Sequence, residues 1–86
     1  MTQYVELTAR ARRDCARISV DEDEARDVVD SPDRVEERPD PGDPSKVFSY
    51  SVRRLTEDAV LVVTWEQLAD RRRAYRVSLL HPDELD

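Results

Sequence analysis

The sequence contains very few of the residues on which common enzyme sites are built. Its 86 residues include one glycine, one cysteine and one histidine. A single glycine excludes the glycine-rich loops that hold phosphate in nucleotide-binding folds. One cysteine and one histidine do not supply the ligands of a zinc site, and Cys15 has no partner for a disulfide within the chain. We therefore predict no metal and no cofactor.

Long apolar segments are missing as well. No run approaches the ~20 apolar residues that a membrane-spanning helix needs, and none resembles the core of a signal peptide. A lone cysteine also fits a reducing compartment. These features predict a cytoplasmic protein without membrane association. The length predicts one small domain over residues 1–86, with a loose acidic tail at about residues 82–86.

Charge is distributed unevenly along a chain whose net charge is −6. Residues 21–44 contain eleven acidic residues and three arginines, whereas residues 1–20 contain four arginines and two acidic residues. An acidic chain binds nucleic acid poorly without a local basic patch, because contact with phosphate needs positive charge that displaces counterions. Any nucleic-acid site must therefore be a cluster of arginines, since Lys46 is the one lysine.

The N-terminal third predicts two helices. In the first, Leu7, Ala11, Cys15 and Ile18 recur at helical spacing and form one apolar face, and Thr8 is suited to cap its N-terminus. The second spans residues 21–30.

The start and the end of the second helix have sequence signals of their own. Asp21 and Glu24 have the spacing of a capping box, and the acidic residues there suit the positive end of the helix dipole. Pro32 disfavours helical geometry at the residue before it, so we expect the helix to end near Asp30.

Alternating segments after the helices predict strands. They span residues 3–7, 34–38, 47–54, 59–65 and 73–80, with loops at 39–44 and 67–72. Residues 59–65 are the most apolar and are expected in the centre of the sheet. We predict an α+β domain with two N-terminal helices packed on one face of a mainly antiparallel sheet of four or five strands. The expected core joins the helix residues Leu7, Ala11, Cys15, Ile18, Val28 and Val29 to the strand residues Phe48, Tyr50, Leu61 and Val63 or their strand neighbours.

Short motifs in the helices resemble a family of small bacterial and archaeal domains of unknown function. Its first helix reads H-A-x-x-R-M, its second begins I-S-x-E-E, and the helices end at N-P-D. Here Arg10-Ala11 falls on H-A, Cys15 on the methionine, Val20-Asp21 on I-S and Ser31-Pro32-Asp33 on N-P-D. The family is similar in turn to the BrnT and RelE-type toxins.

This resemblance implies a function in RNA cleavage or a relative that has lost it. The toxins are metal-independent endoribonucleases that act on mRNA, free or on the ribosome, and pair with antitoxin proteins. The chain departs from the family pattern, because Arg10 replaces its histidine and Asp14 its following arginine. Ile18 and Ser19 replace another arginine and a glycine. The resemblance thus implies either an mRNA endonuclease or a degenerate, non-catalytic relative.

Cleavage of this kind uses the RNA 2′-hydroxyl as the nucleophile. It needs a proton acceptor, a proton donor and cations that hold the developing charge on phosphate, a role that suits the planar guanidinium of arginine. The candidate catalytic residues are Arg73, Arg76 and His81. The candidates for RNA or partner binding are Arg10, Arg13, Arg17, Arg53, Arg54 and Arg72. Tyr50, Trp65 and Tyr75 are candidates for stacking on bases.

Other interpretations of the same residues remain open. The arginines also fit a solvated surface that balances the acidic helix. The domain also fits a non-enzymatic regulatory module that docks a protein partner through a sheet edge or its arginines. A structural oligomer is a third interpretation, and the sequence does not determine the oligomeric state.

Overall fold

A computed structural model describes residues 4–85 of the chain. Its elements follow the order β1 (Val5–Leu7), α1 (Ala9–Ile18), α2 (Glu22–Asp30), β2 (Arg34–Asp40), β3 (Asp43–Arg54), β4 (Val60–Gln67), β5 (Arg72–Leu80) and a 3₁₀ turn (Pro82–Leu85). None of the helices in this part of the chain is long and apolar enough to cross a membrane.

The five strands form one sheet in the order β1-β5-β4-β3-β2. Its pairings are antiparallel except for β1, which lies parallel to β5. Both helices pack on the same face, because their apolar residues share one core with Leu61, Val63 and Val77. The predicted α+β class, the single helical layer and the central position of β4 are therefore confirmed.

Hydrogen bonds at the helix ends follow the sequence signals. The Thr8 hydroxyl accepts from the backbone N–H of Ala11, and the Asp21 carboxylate accepts from that of Asp23. Asp21 thus caps α2 as predicted, although through the second helical residue rather than through Glu24. Ser19 ends α1 at φ 59°, a left-handed conformation in which glycine is the usual residue.

On β3, the side that faces the helices is formed by the strand neighbours of Phe48 and Tyr50 rather than by these two residues. Phe48 and Tyr50 lie on the sheet face opposite the helices and are half-buried, whereas Ser49 and Ser51 face the helical layer and are buried. The small serines leave room for Trp65, whose indole N–H donates to the Ser51 hydroxyl at 2.8 Å. The side chains of β3 do alternate between the two faces of the sheet, as predicted. The helices, however, cover the face with the less apolar side chains.

The proline-rich segment predicted as a loop is mostly strand. β2 runs through Pro39 to Asp40, and β3 begins at Asp43, so only two residues form the turn. Pro39 fits because β2 is an edge strand, where a missing N–H need not break a ladder, and the pairing register shifts beside it. The predicted loop at 67–72 likewise shrinks to residues 68–71.

A β-bulge interrupts the pairing of β4 with β5. Thr64 pairs with Arg76 and Trp65 pairs with Ala74, so Tyr75 is the extra residue on β5. A bulge bends the strand and changes the direction of the side chains around it. Tyr75 therefore interrupts the alternation predicted for residues 73–80.

Candidate anion-binding site

The candidate site lies where β1 ends and α1 continues along β5. β1 pairs with β5 only as far as Ala74, so within residues 4–85 the edge of β5 away from β4 has no strand partner beyond the bulge. Thr8 donates its backbone N–H to the Ala74 carbonyl at 3.1 Å. Nearly two helical turns later, the buried Asp14 carboxylate accepts from the Val77 N–H at 3.0 Å. These bonds fix α1 along the edge of β5.

Four arginines line a cavity between α1 and β5. Arg10, Arg13 and Arg17 project from one side of α1, and Arg76 comes from β5 immediately after the bulge. The cavity has a volume of about 370 Å³, and Asp14 is the one acidic residue among residues 4–85 that lines it. We call it the cationic cavity.

The positive charge of the cationic cavity is largely uncompensated. Arg17 pairs with Asp14 at 3.2 Å, and this bond together with that of Val77 uses both carboxylate oxygens. Within residues 4–85, Arg10, Arg13 and Arg76 make no side-chain ion pair or hydrogen bond, and all three are exposed. Like charges so close repel one another, and a bound anion would relieve that repulsion.

A second cavity, of about 410 Å³, adjoins the cationic cavity and shares Arg10 and Arg76 with it. Its other lining residues are Phe48, Tyr75, Thr8 and Thr64. The Phe48 and Tyr75 rings meet edge to face, with their centroids 5.6 Å apart and their planes at 88°. We call this the aromatic cavity.

Arg76 also reaches a third depression, on the open face of the sheet. This groove of about 330 Å³ includes Arg38 and Tyr50, and the Arg38 guanidinium lies over the Tyr50 ring at 5.6 Å. Arg38 also pairs with Glu36 at 2.8 Å, so its charge is compensated. Arg76 is thus the residue that the three depressions have in common.

Three of the arginines predicted to bind RNA or a partner make contacts within the fold, and their binding roles stay predictions. Arg53 donates to the Asp27 carboxylate at 2.8 Å and to two carbonyls at the end of α2, which ties α2 to β3. Arg54 donates to carbonyls of the β3–β4 turn. Arg72 is buried, pairs with Asp30 and lies over the Trp65 ring.

The three residues predicted for catalysis are not brought together. Only Arg76 lines the cationic cavity. Arg73 donates to Glu6 of β1 at 2.6 Å. His81 lies past the far end of β5, between Asp58 at 3.7 Å and Asp83 at 3.5 Å. Their catalytic roles stay predictions, and the geometry keeps Arg76 as the one candidate within the site.

The pairing of Glu6 predicts a pH dependence of stability. The bond from Arg73, with a further contribution from Arg71, holds the pKa of Glu6 below its ordinary value, and the bond to Glu6 raises the pKa of Arg73. The unfolded chain then binds a proton at Glu6 more readily than the folded chain does. The stabilisation is full above the unfolded pKa and is lost as the pH falls through the folded one.

We therefore expect Glu6→Gln to be less stable than the wild type at pH 7 and to approach it as the pH falls below about 4. Urea unfolding midpoints measured from pH 7 to pH 3 check this. Glu57→Gln is the control, because the Glu57 carboxylate has no ion pair within residues 4–85. A Glu6→Gln deficit that is constant across this pH range would contradict the assignment.

Sequence reasoning missed the residues that build the site around the arginines. In the sequence, Asp14 is notable only because it replaces an arginine of the family pattern. In the structure, its carboxylate fixes α1 to β5. Phe48 was assigned to the core, yet it lines the aromatic cavity. The alternation along β3 defines two faces, and Phe48 lies on the face that the helices do not cover. Between residues 4 and 85, no three histidine, cysteine or acidic side chains are placed to hold a metal.

Comparison of the chain with protein-family models, curated proteins and solved structures finds no match. The relation to BrnT and RelE-type toxins therefore stays a prediction from the short motifs. The fold and the site together define a small α+β domain with an arginine-lined cavity at the junction of its first helix and last strand.

Proposed function

We propose that this protein is a cytoplasmic, toxin-like domain of the RelE/BrnT-related group that binds RNA through the cationic cavity. The observation that carries the proposal is the cluster of Arg10, Arg13, Arg17 and Arg76 in a chain of net charge −6. Guanidinium groups grip phosphate through paired hydrogen bonds, and uncompensated ones are available to do so. The other candidate partners are the ribosome and an antitoxin.

The lining residues favour binding over cleavage. Arginines stabilise the negative charge of a reacting phosphate, but cleavage also needs a group that accepts a proton. Asp14 is the acidic residue in the cavity, but it is buried, and protonation would weaken its bonds to Arg17 and the Val77 N–H. We therefore favour the non-catalytic relative over the active endonuclease.

The test is the binding of a fluorescently labelled ten-nucleotide RNA at increasing KCl concentrations. Engagement of three or four phosphates predicts that log K falls with log salt at a slope of roughly −2 to −3. Absence of binding at 50 mM KCl, or affinity that does not change with salt, would overturn the proposal. Electrophoresis of the same RNA reports cleavage, which Arg76→Ala should reduce by about 10²-fold if the domain is an endonuclease.

The alternative function is that of a non-enzymatic module that docks a protein partner. The feature that supports it is the outer edge of the sheet at β2. β2 is an outer strand, and its Val35 is 46% exposed. Proline at position 39 and the alternating charges of Arg34, Glu36 and Arg38 discourage the addition of another strand to this edge. RNA binding therefore remains the better supported proposal.

A further inference from the structure

We infer that the aromatic cavity holds one unpaired base of the bound strand, so that the domain selects single-stranded RNA over duplex. This inference rests on the proposed function, because it assigns the base that accompanies the phosphate in the cationic cavity. The two cavities share Arg10 and Arg76. A phosphate held by those side chains therefore places the rest of its nucleotide at the entrance of the aromatic cavity.

The lining of this cavity suits a nucleobase. Phe48 and Tyr75 are half-buried, so their rings are held in place while part of their surface remains accessible. Stacking on an aromatic ring is available to every base and contributes ~1–3 kcal/mol per base. At about 410 Å³, the cavity lies within the ordinary size range of small-ligand pockets, roughly 300–1,000 Å³.

Polar groups at the rim are also compatible with a nucleotide. The Thr64 hydroxyl makes no hydrogen bond within residues 4–85, and it lies on β4 directly opposite Arg76. The Thr8 hydroxyl, in contrast, accepts from Ala11 and lies 3.5 Å from the Tyr75 carbonyl, so it is already engaged. Thr64 is therefore the residue expected to bond to the base edge or the ribose.

A duplex cannot use this cavity without breaking a pair. Its bases are stacked on one another, and removal of one from the stack costs a few kcal/mol. Duplex RNA would then bind through phosphate contacts alone. The arrangement predicts that strandedness, rather than charge, distinguishes the ligands of this site.

The first experiment uses the wild-type protein and three labelled ligands at one salt concentration: a ten-nucleotide RNA, the same RNA as a duplex, and a ten-unit abasic ribose-phosphate strand. We expect the normal single strand to bind at least tenfold more tightly than the abasic strand and the duplex. Equal binding of the single strand and the abasic strand would overturn the inference and leave the phosphate site standing. Failure of all three to bind would overturn the proposed function and the inference with it.

The second experiment uses variants of β3. Phe48→Ala should lower the affinity for single-stranded RNA by about tenfold and leave the affinity for the abasic strand unchanged. Tyr50→Ala is the matched control, because Tyr50 lies on the same strand and sheet face but does not line the aromatic cavity. Equal effects of the two substitutions would contradict the inference. Phe48→Leu keeps an apolar side chain without a ring and serves if Phe48→Ala does not fold.

Discussion

Replacement of Arg76 with alanine is expected to weaken the binding of single-stranded RNA by about 10- to 100-fold at low salt. Arg76 lines the cationic cavity, the aromatic cavity and the open-face groove, and no carboxylate within residues 4–85 pairs with it. Loss of a charge-assisted hydrogen bond to phosphate costs ~1.5–3 kcal/mol. The slope of log K against log salt should also become less steep by about 0.7, because one phosphate contact is lost.

The control for this prediction is Arg12, which lies on α1, the helix that forms one wall of the cationic cavity. Arg12→Ala removes the same charge, but Arg12 points toward Glu22 of α2 and does not line the cationic cavity. We expect Arg12→Ala to change the affinity for single-stranded RNA by less than twofold. Arg76→Lys should recover part of the loss, since an ammonium keeps the charge but not the paired hydrogen bonds. Equal losses for Arg76→Ala and Arg12→Ala would mean that RNA responds to net charge and not to this site.

Substitution of Asp14 by alanine is expected to destabilise the fold by about 1–3 kcal/mol. The change leaves the Val77 N–H at the edge of β5 without its acceptor, and an unsatisfied buried donor costs energy of this order. Asp14→Asn should cost less, because its amide oxygen still accepts from Val77, while Arg17 is exposed and turns to solvent. Urea unfolding at neutral pH measures the loss of stability in both variants.

An exposed acidic residue provides the comparison for Asp14. Asp23 pairs with Arg26 at 3.0 Å on the surface, where its side chain is 90% exposed, so Asp23→Ala should change stability by less than about 1 kcal/mol. If Asp14→Ala were as mild as Asp23→Ala, the bond between α1 and β5 would not be what fixes the helix. The thermal midpoint offers a second readout, since ~1 kcal/mol shifts it by about 4–8 °C in a domain of this size.

Local signals in the sequence were sufficient for the helices and for most strands. Thr8 and Asp21 cap the helices that their positions predict, and the apolar face with Ala11 and Cys15 is buried. These features depend on neighbours within a few residues. The face of β3 was not predictable in this way, because alternation defines two faces without saying which one the helices cover. Phe48 and Tyr50 are more apolar than Ser49 and Ser51, yet they lie on the open side.

The site required contacts between distant parts of the chain. The sequence suggested Arg10, Arg13, Arg17 and Arg76 among nine candidates for catalysis and binding, but nothing distinguished them from Arg53 or Arg72. The distinction comes from the acids that occupy Arg53 and Arg72 after folding, Asp27 and Asp30. It also comes from the bulge at Tyr75, which no local pattern indicates. Burial and pairing, rather than residue type, determine which arginines stay available.

The parallel pairing of β1 with β5 has a consequence for the order of events during synthesis. Residues 5–7 find their strand partner only at residues 72–74, and Asp14 finds Val77 63 positions later. On a ribosome, the first helix therefore emerges long before the strand that holds it. Contacts so far apart in sequence also slow folding. Arg76 joins Arg10, Arg13 and Arg17 only after β5 has been made, so a nascent chain carries the three helix arginines before the cationic cavity exists.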